Sequence, residues 1–86
     1  MLTGTVTDAR SKQPLGDVVV TVTSPALQGE QVVVTDPTGL YRIPQLPAGS
    51  YTMRLALQGY KPYARGGILL RNNATTRINA ELLPVG

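Results

Sequence analysis

Ser50-Tyr-Thr-Met-Arg-Leu-Ala-Leu57 decides the fold class of this chain, because apolar and polar side chains alternate along it. A repeat of two residues is the spacing of an extended strand with one buried face. The stretch therefore predicts a central β-strand. Its apolar face carries Tyr51, Met53, Leu55 and Leu57.

Similar strand patterns recur on both sides of this segment, and no window favours a helix longer than a turn or two. Valine and threonine runs, whose branched side chains suit a pleated surface, fill residues 17–23 and 30–35. Seven short strands separated by turn residues indicate an all-β sandwich and not βαβ units. The strands are predicted at residues 2–7, 17–23, 30–35, 40–43, 50–57, 68–70 and 74–83.

The segment Asp36-Pro-Thr-Gly39 fits a type I turn. Asp36 can accept backbone hydrogen bonds at the first position, proline fixes φ at the second, and Gly39 takes the exit. The turn implies a hairpin into residues 40–43.

Prolines and glycines mark the remaining connections. Pro44 and Pro47 cannot lie in an interior strand, so we expect the chain to cross there from one sheet to the other. Gly49 and Gly59 are assigned to further turns. Gly66-Gly67 is expected to separate residues 58–63, a turn or edge segment, from the strand at 68–70.

Length and composition favour one folded domain over residues 1–86. The chain has 86 residues with 42% hydrophobic residues and no cysteine, so its stability must come from packing and strand pairing. The sequence contains neither a signal peptide nor an apolar stretch long enough for a membrane helix. The net charge is +3, and six of the eight basic residues follow residue 41, where Glu81 is the single acid.

Several motifs give the chain a family resemblance. Thr35-Asp-Pro-Thr-Gly-Leu-Tyr41, Leu46-Pro-Ala-Gly-Ser-Tyr51 and Gly59-Tyr60, with the opening Gly4-Thr-Val-Thr-Asp8, resemble the carboxypeptidase regulatory-like domain family. The resemblance implies a seven-stranded antiparallel β-sandwich of the transthyretin-like, or prealbumin-like (Ig-like), type. It also implies a domain with no shared catalytic residue, appended to exported proteins.

A second resemblance is narrower. Ser24-Pro-Ala-Leu-Gln-Gly-Glu-Gln31, Tyr41-Arg-Ile-Pro-Gln-Leu-Pro47 and Lys61-Pro-Tyr-Ala-Arg65 look like periplasmic N-terminal extensions of TonB-dependent outer-membrane receptors. This implies a location in the periplasm or at the cell surface, with a signal peptide before the chain and a plug and barrel after it. The implied role is a non-catalytic accessory domain for protein contacts or spacing.

The residue types count against catalysis and bound metals. The absence of histidine and cysteine removes the commonest general base, the thiol nucleophile and the usual zinc ligands, so the chain is predicted not to be an enzyme and to need no cofactor. The absence of histidine also counts against the enzyme lineage that shares the transthyretin-like fold and hydrolyses a purine breakdown product. The activity of that lineage resembles one that depends on histidine. Calcium binding by Asp8, Asp17 and Asp36, which lie at separate turns, is disfavoured. Lysine–asparagine isopeptide formation is also disfavoured, because Lys12 and Lys61 fall in loops or edges.

Four residues are candidates for contact with a partner or a glycan. Tyr41 and Tyr63 are expected to be exposed, and Arg65 and Arg71 belong to the basic half of the chain. The expected partner is another envelope protein or the rest of the same chain, with no nucleic acid and no direct membrane insertion. The alternative function is a carbohydrate-binding module of a secreted enzyme or adhesin. The alternative for the arginines is that they only form the solvent-exposed face of the sandwich and bind no partner.

The valine runs offer another kind of contact. Residues 18–22 and 32–34 would pair with a strand of another protein if either run lay at a sheet edge. The alternative is that both runs are already paired inside the sandwich.

Overall fold

The computed structural model describes residues 1–25, 27, 29–44, 46–71 and 74–85. These residues form eight β-strands and no helix. The strands are β1 (Leu2–Asp8), β2 (Val19–Thr23), β3 (Glu30–Val34), β4 (Leu40–Ile43), β5 (Gly49–Ala56), β6 (Tyr63–Leu70), β7 (Thr76–Arg77) and β8 (Ala80–Leu82).

The strands form two sheets. Sheet 1 has the order β4-β1-β7, with β8 also pairing with β1, and sheet 2 has the order β3-β2-β5-β6. The inner side chains of both sheets share one hydrophobic core. The predicted all-β sandwich is therefore confirmed, with a central β5 that pairs with β2 on one side and β6 on the other.

The C-terminal end accounts for the eighth strand. Residues 74–83 were predicted as one strand, but the chain leaves the ladder at Ile78 and Asn79 between β7 and β8. There the N–H of Ile78 donates to the Thr3 carbonyl at 2.8 Å, and the Asn79 side chain accepts from the Thr5 N–H at 3.1 Å. Both β7 and β8 run parallel to β1. The sandwich was predicted to be antiparallel, and these two pairings differ from that prediction.

Strand β6 is longer than predicted. Gly66-Gly67 was expected to separate two segments, yet the strand runs from Tyr63 to Leu70. Met53 pairs with Arg65 whereas Tyr51 pairs with Ile68, so β6 contains one extra residue between these pairs. The chain absorbs it as a bulge, with Gly67 in the left-handed region at a φ of 69°.

The turn at Asp36-Pro-Thr-Gly39 forms, but the predicted hairpin does not. The Gly39 N–H donates to the Asp36 carbonyl at 2.8 Å, closing the turn. Beyond it the Gly39 carbonyl accepts the Val6 N–H at 2.8 Å and β4 pairs with β1, while β3 pairs with β2. The turn is therefore a corner between the two sheets.

The proline-rich connection crosses between the sheets as predicted, since β4 lies in sheet 1 and β5 in sheet 2. Gly49, predicted as a turn residue, is instead the first residue of β5, where it pairs with Leu70. Tyr51 ties the connection to the strand, because its hydroxyl donates to the Pro47 carbonyl at 2.5 Å.

The core lies between the sheets and is almost entirely apolar. Alternate residues of each strand supply it, as the period-2 pattern predicted. Among the described residues, Thr35 is the polar side chain that is buried. The core residues are Leu2, Val6, Val18, Val20, Val22, Tyr41, Ile43, Leu46, Tyr51, Met53, Leu55, Ile68, Leu70, Ile78, Ala80 and Leu82.

Candidate interaction surface

Tyr41 is buried, so the prediction that it is exposed is wrong. It pairs with Gly4 of β1 on the inner face of sheet 1 and is only 1% exposed. Its hydroxyl donates to the Ile78 carbonyl at 2.6 Å. Burial raises the pKa of Tyr41 to about 12, with a further rise from Tyr63 and a smaller opposing effect of Arg65. Tyr41 anchors the core and offers no ring to a partner.

Tyr63 and Arg65 lie together at the edge of sheet 2. They pair with Leu55 and Met53, whose side chains are buried, so both start from the core-facing side of β6. Tyr63 is half-buried and packs against the core. Arg65 is exposed, because β6 is the edge strand and the core does not extend past it between the two sheets. Of the four predicted contact residues, the structure brings this pair close to the Tyr41 hydroxyl.

Arg71 lies apart from that pair. It directly follows β6 and is exposed, at the far end of the strand from Tyr63. It lies six residue positions beyond Arg65 along the extended chain, which corresponds to about 20 Å. The two arginines therefore mark the two ends of an edge strand and do not form one pocket. We call this β6 edge, with Tyr63, Arg65 and Arg71, the basic edge.

The arginines of the basic edge have no ion-pair partner among the residues that the structure describes. In that part of the chain the one salt bridge joins Lys12 to Glu81, with the Lys12 Nζ 2.5 Å from the carboxylate. Uncompensated positive charge on an exposed edge favours acidic partner surfaces.

A second pair of arginines lies on the outer face of sheet 1. Thr3 pairs with Arg42 of β4 on one side and with Arg77 of β7 on the other. Both arginines are exposed, and the Arg77 Nε donates to the Asn79 side chain at 3.4 Å. Because this pair faces away from sheet 2, it provides a matched control for the basic edge.

The outer face of sheet 2 carries an apolar strip that is not among the predicted contact residues. Val19 pairs with Val34 across β2 and β3, and both side chains are exposed together with that of Val32. The available signal was the run of consecutive valines, since three adjacent apolar residues in a strand must place at least one on the outer face.

The two valine runs differ in their pairing. β2 is bonded to β3 on one side and to β5 on the other, so its valines are already paired inside the sheet. β3 is bonded to β2 alone and forms the edge of sheet 2 opposite the basic edge. Residues 32–34 therefore lie at a sheet edge, which is the position in which they could pair with a strand of another protein.

Two aspartates accept hydrogen bonds at turns. The Asp36 side chain accepts from the Thr38 hydroxyl at 2.6 Å and from the N–H groups of Thr38 and Leu40 at 2.9 and 3.1 Å. Asp8 accepts from the Tyr60 hydroxyl at 2.7 Å. Gly59, before Tyr60, has a φ of 90°, which suits its predicted turn. In the described ranges no three acidic side chains gather into a metal-binding group.

These hydrogen bonds make stability depend on pH. The Tyr60 hydroxyl lowers the pKa of Asp8, and the Thr38 hydroxyl lowers the pKa of Asp36, each helped by backbone N–H donors. An unfolded aspartate titrates near pH 4. The resulting stabilisation is fully present above about pH 4 and is lost as the pH falls through the lowered folded-state values.

We therefore expect the urea midpoint of the chain to fall on acidification below about pH 4. The double substitution D8N/D36N removes both titrations. At position 36 the amide oxygen can still accept all three bonds, because one carboxylate oxygen accepts them in the native chain. At position 8 the amide oxygen can keep the backbone bonds, and the amide nitrogen can donate to the Tyr60 hydroxyl but cannot accept from it. Its midpoint should change less over the same range, as measured by urea unfolding at a series of pH values. Equal pH dependence in the two proteins would contradict the assignment.

No helix in the described part of the chain is long and apolar enough to cross a membrane.

The arrangement of two sheets around one core defines a β-sandwich. Residues 1–83 match the sequence model of the carboxypeptidase regulatory-like domain, and the chain belongs to this family. Over 81 residues it is 65% identical to the TonB-dependent transporter Oar of Myxococcus xanthus. That match covers 94% of this chain but 8% of the transporter, so the chain spans a small part of this curated relative.

Solved structures share the fold at low sequence identity. The 5-hydroxyisourate hydrolase of Klebsiella pneumoniae superposes with a TM-score of 0.74 at 16% identity, over 99% of this chain and 91% of the hydrolase. Transthyretin from Sparus aurata superposes with a TM-score of 0.64 at 18% identity, over 95% of this chain and 89% of transthyretin. At these identities the likeness shows a common architecture alone.

Proposed function

We propose that this chain is a non-catalytic domain of a TonB-dependent outer-membrane transporter, located in the periplasm or at the cell surface. The observation that carries this proposal is the 65% identity to a segment of a transporter of that class. The family match supports an accessory domain. The predicted position at the N-terminus of the transporter is part of the proposal.

The residue content supports a non-catalytic role. The 86 residues include no histidine and no cysteine, and the side chains of Asp8 and Asp36 are engaged in turns. A general base or nucleophile needs a neighbour that activates it and a place for substrate beside it. The likeness to a hydrolase extends to the fold and supplies no such group.

The basic edge is the proposed contact surface for another envelope protein or for the rest of the transporter chain. Tyr63 offers a half-buried ring, and Arg65 and Arg71 offer exposed guanidinium groups without ion-pair partners in the described residues. Arginine and tyrosine are residue types that interfaces favour. The glycan alternative is weaker, because Tyr41, one of its two tyrosines, is buried.

The proposal can be tested by photo-crosslinking in cells that encode this chain. A photoreactive phenylalanine analogue is placed at position 65, at position 71 or, as the control, at position 77 on the opposite sheet. Antibodies against the 86-residue chain should detect, in the outer-membrane fraction, a protein far larger than 9.2 kDa. Irradiation should shift that band for positions 65 and 71 and leave it unshifted for position 77.

The two parts of the proposal fail separately. Detection only in a cytoplasmic fraction, or only at 9.2 kDa, would overturn the transporter assignment. A crosslink within the transporter changes its migration without a second protein, and it would identify the rest of the chain as the partner. Equal yields at positions 65, 71 and 77 would overturn the basic edge as the contact surface.

A further inference from the structure

The β3 edge differs from the other edges of the two sheets, because it is regular, contains no proline and is charged only at its first residue, Glu30. β4 has four residues and is followed by Pro44, while β7 and β8 have two and three. β6 carries a bulge and the exposed Arg65. Short strands, prolines, bulges and charges are the devices that protect edges. β3 keeps a regular register with β2 over all five of its residues, none of them proline or lysine.

The backbone groups of β3 that face outward can be identified from the ladder. The Thr35 N–H donates to the Val18 carbonyl at 3.0 Å, so the backbone of Thr35 faces β2. Backbone groups alternate between the two sides of an antiparallel strand. Val33 therefore also bonds to β2, and the N–H and C=O groups of Val32 and Val34 point to the free side. An extended chain beside β3 could bond to both.

The side chains next to these groups are suited to an apolar strand. Val32 is 52% exposed and Val34 is 54% exposed, both on the outer face of sheet 2. A paired strand places every second side chain on that face, about 5 Å from the facing valine. β-branched residues opposite Val32 and Val34 would bury this surface, continuing the strip that begins at Val19.

Acidic side chains lie at both ends of β3. Glu30 begins the strand, and Asp17 and Asp36 lie beside Thr35 just after it. The one salt bridge of the described residues lies elsewhere, between Lys12 and Glu81. If a second copy of this chain paired antiparallel about Val33, Glu30 of each copy would lie opposite Asp36 of the other, which is unfavourable. The charges instead fit an added strand with a basic residue at each end.

We infer that the free edge of β3 accepts an extended segment of another polypeptide as a fifth strand of sheet 2. The segment carries β-branched residues facing Val32 and Val34 and a lysine or arginine at each end. This surface extends the proposed interaction role to the edge opposite the basic edge. It does not depend on Arg65 or Arg71.

The test uses the 86-residue chain and the labelled peptide Lys-Thr-Val-Thr-Val-Thr-Lys. We expect saturable binding by fluorescence anisotropy, together with slower hydrogen exchange at the amides of Val32 and Val34. V32P removes an outward N–H while leaving the bonds to β2 in place, and should weaken binding about tenfold or more. V19T changes the same outer face on a central strand and should leave affinity within about twofold.

Several results would overturn this inference. They are no saturable binding, unchanged exchange at Val32 and Val34, wild-type affinity in V32P, or an equal loss in V19T and V32P. A peptide with glutamate at both ends that binds as tightly as the lysine peptide would overturn the charge argument. Sedimentation that shows a dimer of the native chain and a monomer of V32P would assign the edge to a second copy. Because exchange is measured on the native chain, the result does not require V32P to fold, and it leaves the transporter assignment unaffected.

Discussion

Replacing Gly4 with alanine is expected to lower the free energy of unfolding by about 3 kcal/mol or more. Gly4 lies in the middle of β1, between β4 and the Ile78 segment. A Cβ atom there would overlap the Ile78 carbonyl oxygen and lie 2.6 Å from the carbonyl carbon and 2.9 Å from the Tyr41 hydroxyl. Two of these three atoms belong to the backbone, which cannot rotate away as a flexible side chain would.

Relief of that overlap would separate β1 from the segment that joins β7 to β8. The bond from the Ile78 N–H to the Thr3 carbonyl, 2.8 Å long, and the bond from the Tyr41 hydroxyl to the Ile78 carbonyl, 2.6 Å long, would then lengthen or break. Both hold the C-terminal strands on sheet 1. We therefore expect an early loss of β7 and β8 and not a uniform loosening.

Urea unfolding measures the effect, and Gly66→Ala is its control. Gly66 also lies in a strand, but the nearest atom to an added Cβ is the Thr52 Oγ1 at 3.7 Å, an ordinary contact. Its substitution should change stability by about 0.5 kcal/mol or less. If G4A and G66A had similar stability, the close approach of Ile78 to β1 would not be a feature of the protein in solution.

The alternation of side chains predicted most of the strands, because burial of one face leaves a mark on the sequence itself. Residues 50–57 are the clearest case, and β5 occupies nearly the same range. The same rule could have placed Tyr41 correctly. In Leu40-Tyr-Arg-Ile43 the charged Arg42 defines the outer face, which puts Tyr41 on the inner face with Ile43.

Features that depend on distant pairing left no such mark. The turn at Asp36 has the same local chemistry whether the following strand returns along β3 or enters the other sheet, so β4 was assigned to a hairpin. The bond from the Val6 N–H to Gly39 decides the outcome, and it joins residues far apart in the chain. The direction of β7 and β8 is likewise set by a crossover from β6, which alternation does not encode.

The interaction surface was predicted only in part for a similar reason. Arg65 and Arg71 could be identified from charge, but whether they share a pocket depends on the strand between them. The free edge of β3 follows from the position of β2 in the middle of sheet 2. A run of valines in the sequence does not show which of two adjacent strands will be outermost.

Thr35→Val is the second substitution with a large expected effect, and it tests the buried corner between the sheets. The Thr35 side chain is 3% exposed. Its hydroxyl donates to the Leu15 carbonyl at 2.8 Å and accepts from the Val18 N–H at 2.9 Å. One side chain therefore satisfies two backbone groups where the chain enters β2, beside Asp17, which has a φ of 62°.

Valine has nearly the volume of threonine, so the substitution removes both hydrogen bonds without opening a cavity. It leaves a backbone donor and a backbone acceptor without their partner, each at a cost of about 1 to 3 kcal/mol when buried. Because Leu15 is only half-buried, water can reach part of this site, and we expect a total loss of about 3 kcal/mol in urea unfolding. Exchange of the Val18 amide hydrogen should also become faster.

Thr35→Ser separates the hydroxyl from the methyl group. Serine keeps both hydrogen bonds and loses one buried methyl group, so it should cost about 1 kcal/mol and leave exchange at Val18 close to that of the native chain. Equal losses for valine and serine would show that the methyl contact, not the bridge between Leu15 and Val18, stabilises the corner. A larger loss for valine, with faster exchange at Val18, would instead identify the hydroxyl as the group that holds the start of β2 against the end of β3.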